Sequence, residues 1–409
     1  MQTELADFIK DTPQGRDAER ILRTCVHCGF CLATCPTYQL LGDEQDSPRG
    51  RIYLIKEALE GARPTATLQQ HLDRCLTCRA CETTCPSGVE YGRLVDIGRE
   101  LAEREVPRPA SSRLTRWMLR KVLPQRRLFG SLVTLGRSVR PLLPRNLAAK
   151  LPRELRRAEW PAPVPSARRV LVLEGCVQPA LEPSLDPRMA QLLGALGYEV
   201  RRTPSAGCCG AVSQHLGAPD EARAHARRNI DAWWPHIEQG ADAVLSSASG
   251  CGTMLKDYAH LLQDDPAYAH KAARVAALAK DPIELLEAHH DQLEIAAGAP
   301  HRIAFQAPCS LQHGQKLGGR VEALLNSLGF ELTPVAEAHL CCGSAGTYSL
   351  LQPELSEQLR TRKLANLQAA SPALIASANI GCMSHLAERA EVPVRHWLEL
   401  IAAKSNTRV

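Results

Sequence analysis

Cys25-Val-His-Cys28-Gly-Phe-Cys31-Leu-Ala-Thr-Cys35-Pro36 is followed, fifty positions on, by Cys75-Leu-Thr-Cys78-Arg-Ala-Cys81-Glu-Thr-Thr-Cys85-Pro86. Both stretches read C-x2-C-x2-C-x3-C-P. Three thiols spaced three residues apart fit on one tight turn, where backbone N–H groups point at the same centre as the sulfurs. The fourth lies one residue further along and points away from the other three. A proline after it donates no hydrogen bond and leads the chain out of the turn. Each ladder is therefore one ligand short of a closed four-cysteine site, and each carries a spare.

This is the run that binds a pair of [4Fe–4S] clusters in bacterial ferredoxins, where the fourth Cys serves the neighbouring cluster. By that analogy one cluster takes Cys25, Cys28, Cys31 and Cys85, and the other takes Cys75, Cys78, Cys81 and Cys35. The bland alternative is structural zinc, which uses two separated C-x2-C pairs rather than three close thiols and an outlier. His27 and Arg79 lie inside the ladders and read as neighbours of the ligands. The chemistry expected is single-electron transfer.

At 409 residues the chain has room for two or three domains. Its sixteen cysteines, with no signal peptide at the N-terminus, suit a reducing compartment in which thiols hold metals. No uncharged apolar run reaches the length of a membrane span. A cytoplasmic protein is expected, peripheral to the inner face of the cell membrane where it meets the membrane at all.

The net charge of +5 conceals an uneven distribution. Positions 106–158 hold fourteen Lys or Arg and one acid, Glu154, so that segment is about +13 and the rest of the chain near −8. Within it, Leu114–Leu123 and Leu128–Leu135 read as two short amphipathic helices, interrupted at Pro124, Pro141 and Pro144. A basic helix with Trp117 and Phe129 suits a membrane surface. The competing and commoner use is a linker whose apolar face packs on its own domains or on a partner subunit. Nucleic acid is not expected, because no recognition motif or basic–aromatic interleaving accompanies the charge.

The C-terminal half repeats itself. Val170–Cys176 matches Ile303–Cys309, Gly207-Cys208-Cys209-Gly210 matches Leu340-Cys341-Cys342-Gly343, and Val244–Cys251 matches Leu374–Cys382. The period is that of a whole domain. Apolar β-rich runs (170–173, 243–246, 303–305, 373–376) alternate with helical stretches (189–196, 221–234, 321–328, 355–367), which predicts parallel sheets covered by helices. In such sheets loops at the carboxyl ends of the strands face one crevice. Cys176 and Cys251 should meet there, as should Cys309 and Cys382, with each Cys-Cys-Gly turn closing the site. The organisation expected is a helical two-cluster ferredoxin-like domain (1–105), a basic helical linker (106–165) and two homologous α/β domains (166–295 and 296–409).

Taken with Cys28-Gly-Phe-Cys-Leu-Ala-Thr-Cys-Pro-Thr37, Ser47-Pro-Arg-Gly-Arg-Ile52, Asn229-Ile-Asp-Ala-Trp-Trp234 and Cys341-Cys-Gly-Ser-Ala-Gly-Thr-Tyr348, these features resemble the iron–sulfur subunits of bacterial glycolate oxidases over nearly the whole length. The chain is similar, less closely, to the heterodisulfide-reductase-like CCG proteins. The resemblance implies an electron-transfer subunit of a membrane-associated, flavin-dependent dehydrogenase complex. FAD-bearing partner subunits would oxidise glycolate to glyoxylate, and this chain would relay single electrons towards a membrane quinone. Related complexes act on lactate or glycerol 3-phosphate, and a CCG-type disulfide or quinone reductase subunit is a further alternative.

The residues agree with that division of labour. There is no G-x-G-x-x-G or P-loop, and no residue is expected to be catalytic in this chain alone. Hydroxy-acid oxidation needs a flavin or nicotinamide. The CCG repeats are more open. Each keeps four cysteines (Cys176, Cys208, Cys209, Cys251; Cys309, Cys341, Cys342, Cys382), enough for a further cluster or zinc. The final C-x-x-C pair is incomplete, however, at Cys251-Gly-Thr-Met254 and Cys382-Met-Ser-His385. His385, His215 and His313 are marginal ligand candidates. Arg49 and Arg51 have surface ion pairs as their default reading, with a cluster's charge as the alternative. Trp233 and Trp234 read as core packing before Pro235, and Tyr348 sits beside a CCG turn without an assignable role.

Overall fold

The computed structural model describes residues 1–144, 148, 150–152 and 154–404. Arg145 and Arg153, which contribute to the basic segment, lie outside the described residues. The chain forms two compact units that do not follow chain order. The first comprises 1–120, 212–221 and 339–363; the second comprises 121–211, 222–338 and 364–409.

Helices build the first unit: α1 (Pro13–Thr24), α2 (Pro36–Leu41), α3 (Pro48–Leu59), α4 (Ala66–Asp73), α5 (Ala80–Thr84), α6 (Tyr91–Glu105) and most of α7 (Ala110–Val122). Their starts are written locally. Thr12, Ser47 and Thr65 accept N-terminal N–H groups at Gly15, Gly50 and Leu68. Pro13, Pro36 and Pro48 occupy first positions, where a missing N–H costs nothing. Leu22, Ile55, Leu59, Leu72, Leu94 and Val95 form its core, and Cys25, Cys75 and Cys81 pack against the same cluster.

Two four-stranded parallel sheets organise the second unit. One holds β1 (Arg169–Val172), β2 (Glu199–Arg202), β3 (Ala243–Leu245) and β4 (Ala279–Lys280) in the order β2-β1-β3-β4. A small antiparallel pair joins β5 (Leu293–Ile295) to β10 (Ile401–Ala403). The second sheet holds β6 (Arg302–Gln306), β7 (Glu331–Leu332), β8 (Leu374–Ser377) and β9 (Val394–His396) in the order β7-β6-β8-β9. The two orders are the same topology. The registers match as well, Val170 pairing with Val200 and Ala243 as Ile303 pairs with Leu332 and Leu374.

Central strands are buried on both faces. Val170 and Val172 share a core with Ile303, Phe305 and Trp397, while Leu171 and Leu173 pack with Ala226, Ile230 and Trp233. That explains their continuous apolar runs. Charged Glu199-Val-Arg-Arg202 and the two-residue strands carry no such signal and are absent from the sequence reading. The helix expected to stop at Trp234 in fact runs from Pro219 to Glu238 through Pro235. Trp233 is fully buried and anchors that turn, whereas Trp234 is partly exposed and donates to Glu238.

Asp186 is buried in this unit, taking hydrogen bonds from Ser247 Oγ at 2.5 Å and Gln178 Nε2 at 2.8 Å. Burial pushes its carboxyl up to about 7, and these hydrogen bonds pull the other way. The unfolded carboxyl titrates near 3.9, so between about 4 and 7 the folded chain keeps a proton that the unfolded chain has lost. This contribution to stability is complete below about pH 4 and disappears as pH rises through about 7. Asp186→Asn should flatten the fall in stability between pH 5 and pH 8 measured by urea unfolding. An unchanged slope would count against this assignment.

Candidate functional site: four-cysteine centres

Each ladder turn repeats one backbone path. Residues two and four positions after its first cysteine adopt left-handed φ values, His27 (56°) and Gly29 (87°) in one, Thr77 (53°) and Arg79 (60°) in the other. Three of these four are not glycine, so the fold holds them in a sparsely populated region. The geometry aims N–H groups at sulfur: Thr77 N–H donates to Cys75 Sγ at 3.4 Å, and His27 N–H lowers the Cys25 thiol pKa against the larger upward push of burial.

Cysteines of the two ladders come together. Cys25, Cys28 and Cys31 of the first ladder and Cys81 and Cys85 of the second line one pocket, together with Pro48, Arg49 and Tyr91. The buried Cys81 thiol is pushed well up by burial and then by Cys78, Glu82, Cys75 and Cys35. Cys31 is raised to about 11, again chiefly by burial. None of the sixteen cysteines forms a disulfide. Eight of them in two apolar-backed groups, their charged forms opposed by burial, suit a centre that brings its own positive charge. The donor set fits iron–sulfur clusters.

The Ser47-Pro-Arg-Gly-Arg51 motif sends its two arginines to different places. Arg49 forms the expected part-exposed ion pair with Glu44, and its Nη1 lies 3.0 Å from where a Cβ on Gly29 would stand. Arg51 departs from the surface-pair reading. Its side chain is 1% exposed; it donates to His71 O (2.7 Å), Thr37 Oγ1 (3.0 Å) and Asp46 Oδ1 (3.1 Å), and its Nη1 lies 3.9 Å from Cys35 Sγ. Tyr91 donates its hydroxyl to Cys75 Sγ at 3.6 Å. Tyr348, also in the first unit, is buried with an unpartnered hydroxyl. Its phenol is raised first by burial and then by Cys75, with Cys341 adding to the effect.

In the first CCG copy, parallel strands deliver the cysteines as expected. Cys176 follows β1, Cys208 and Cys209 follow β2, and Cys251 opens the helix after β3, so three adjacent strands feed one crevice. Cys176 Sγ donates to Cys208 Sγ at 3.6 Å, and Gly210 N–H donates to Cys208 Sγ at 3.4 Å. The Cys176 and Cys209 thiols drive Cys208 below its usual range, and Cys209 also bonds Cys251. Asn229, from the quoted Asn-Ile-Asp-Ala-Trp-Trp run, ties the turn by accepting from Gly207 N–H and donating to Cys208 O.

In the second copy Cys309 and Cys382 follow the neighbouring strands β6 and β8 in the second unit, whereas Cys341 and Cys342 belong to the first. Gly343 N–H donates to Cys341 Sγ at 3.4 Å, repeating the Gly210 contact, and Asn379 donates to Cys382 at 3.5 Å. Gly343 has φ +89°, and a Cβ there would stand 2.6 Å from Ser356 O. His385 and His313 are buried, and His215 lies 3.6 Å from Asp96.

These features define an iron–sulfur protein with a dicluster module and two cysteine-rich domains. Residues 21–89 match the family model of the 4Fe-4S dicluster domain, and residues 170–256 and 303–387 match the Cysteine-rich domain. The chain is 52% identical over 402 residues, 98% of each chain, to the glycolate oxidase iron-sulfur subunit of Escherichia coli. It is 32% identical over 391 residues to the probable glycolate oxidase iron-sulfur subunit of Bacillus subtilis, covering 88% of this chain and 87% of that one. Lactate utilization protein A of Bacillus licheniformis is 27% identical over 218 residues, covering 52% of this chain and 88% of the relative. The chain belongs to the family of glycolate oxidase iron–sulfur subunits, electron-transfer components of oxidoreductase complexes.

Gly50 is the close-approach point that lets α3 present both arginines, since a Cβ there would lie 1.9 Å from Glu44 O. Gly50→Ala should destabilise the first unit by about 3 kcal/mol or more, because neither backbone can yield cheaply. Thermal unfolding at the same midpoint as the parent would contradict this close approach.

Proposed function

We propose that this chain is the electron-transfer subunit of a flavin-dependent glycolate oxidase and holds two [4Fe–4S] clusters. Cys25, Cys28, Cys31 and Cys85 would hold one; Cys75, Cys78, Cys81 and Cys35 would hold the other. The observation that supports the reading is that Cys85 lines one pocket with Cys25, Cys28 and Cys31, together with similarity along nearly the full chain. Such clusters supply one-electron carriage. The chain's own part is to hold the thiols, aim N–H groups at sulfur and limit water around the second site. FAD-bearing partner subunits would oxidise glycolate to glyoxylate, with a membrane quinone as the eventual acceptor. The half-chain similarity to lactate utilization proteins supports lactate as the second reading for the complex.

The clustered Cys176, Cys208, Cys209 and Cys251 offer a third four-thiol site, for a further cluster or zinc. Anaerobically purified chain should contain about eight irons with matching acid-labile sulfide and should not oxidise glycolate without its partners. Metal above that level should fall in Cys208→Ser while the eight irons remain. Zinc without iron, or glycolate oxidation by the single chain, would sink the reading.

Membrane association is proposed through α7 and α8 (Arg126–Ser138). Among the described residues no helix is long and apolar enough to cross a membrane. Both helices turn apolar residues outward: Leu114, Trp117 and Met118 on α7, and Leu128, Leu132 and Leu135 on α8, are all exposed. Arg116 is turned inward instead, paired with Asp73 at 2.9 Å. Among the described residues these six side chains leave much of their surface uncovered, which supports an outside surface as their partner. Neither helix contains an acid, which suits an anionic lipid surface. Full-length protein should sediment with phosphatidylglycerol-containing vesicles, less so as salt rises, and the triple variant Leu128→Glu, Leu132→Glu, Leu135→Glu should lose this. Equal binding by the variant would overturn the assignment of α8.

A further inference from the structure

The two ladder sites differ in their electrostatic surroundings, and the difference is concentrated in one side chain. At the first site Cys28 is exposed, Val26 and Phe30 beside it are 67% and 63% exposed, and Arg49 faces solvent with Glu44 on it. Water and that carboxylate both screen the Arg49 charge. At the second site Cys35, Cys75 and Cys81 are buried, and the nearby cation Arg51 is buried as completely as they are.

The partners of Arg51 do not cancel its charge. His71 O and Thr37 Oγ1 are neutral acceptors. Asp46, its one carboxylate, is also held by Arg74 at 2.8 Å and lies 3.0 Å from His71 Nδ1. Asp46 is thus shared between two arginines and does not neutralise Arg51 by itself, while the second acid of the group, Asp43, is exposed to water. An arginine keeps its proton throughout the accessible pH range, so this charge is permanent.

Burial alone would make the second site hard to reduce, because reduction adds one electron, and so one negative charge, where water cannot solvate it. A fixed buried cation acts against that penalty. We propose that Arg51 is a potential-setting residue, which holds the reduction potential of the Cys35–Cys75–Cys78–Cys81 site up so that an electron can rest at the buried end of the pair. Its own role is electrostatic: no bond forms or breaks, and no proton is required. Arg49 and Arg51, two residues apart in one motif, thereby make two similar ladders unequal. This inference rests on the cluster assignment proposed above.

The test is an EPR-monitored redox titration of the anaerobically purified full-length chain, with dithionite as the electron source. Arg51→Met should shift one of the two cluster signals at least tenfold towards the oxidised form, about 59 mV for one electron, with the other signal in place. Asp46→Asn removes the opposing charge and should move the same signal the other way, while Arg51→Lys should keep it near the parent value. A merely structural role for Arg51 would not give opposite signs at one signal. No shift in Arg51→Met, an equal shift in both signals, or the same direction in Asp46→Asn would overturn the proposal. If Arg51→Met does not fold, the Asp46→Asn shift decides, and an unmoved signal there is fatal. Absence of two reducible clusters in the parent chain would instead defeat the cluster assignment, before any variant is compared.

Discussion

Thiolate sulfur in a low-dielectric setting needs compensating charge, and much of the first unit is organised around that constraint. Burial raises the thiols of Cys31 and Cys81, so the apoprotein does not hold these donors charged by itself. Instead, the chain spends backbone geometry on them. Left-handed residues at His27 and Thr77 turn N–H groups towards the first sulfur of each ladder, and the CCG turns repeat the contact from Gly210 and Gly343. One short-range device, an N–H two residues beyond a cysteine, thus recurs at four places on unrelated secondary structure. Donor orientation of this kind is how a protein tunes a bound cluster.

The scaffold around these turns divides the labour by fold class. Short capped helices hold the ladders in the first unit, because a tight loop between helices can bring thiols from distant sequence positions together without strand pairing. Parallel sheets carry the CCG cysteines in the second, because adjacent strands end on the same side and deliver successive loops to one crevice. The chain order β2-β1-β3 matters here. It places the loops of Cys176, Cys208–Cys209 and Cys251 side by side although they are dispersed over the domain. Duplication of this plan explains why the two sheets share topology and register down to the paired residues.

Buried charge in the first unit follows a different logic from a surface ion pair. Asp46, Arg51 and His71 are all buried, with Arg74 reaching in from the edge. Such a group is costly to assemble unless its charges are bonded, and here the arginines donate to a carbonyl, a hydroxyl, a carboxylate and the Cys35 sulfur. Arg51 was the one motif residue whose surroundings contradicted its commonest reading. A sequence shows that Arg49 and Arg51 sit two apart. Which of them turns inward depends on the pitch of α3 and on what packs over it.

The sequence by itself determined the ladders, the duplicated CCG unit, the long apolar strands and the basic helices. Each of these is a local regularity: ligand spacing, a repeat period, or a run of apolar residues whose burial on both faces leaves no alternation. Tertiary structure alone decided that residues 339–363 fold into the same unit as the ladders. It also decided that Trp117 and Leu135 face outward while Arg116 faces in, and that strands as short or charged as β2 and β7 exist at all. These depend on contacts between residues far apart in the chain. No window of sequence contains both partners, so the physics that chooses among them acts only once the chain has folded.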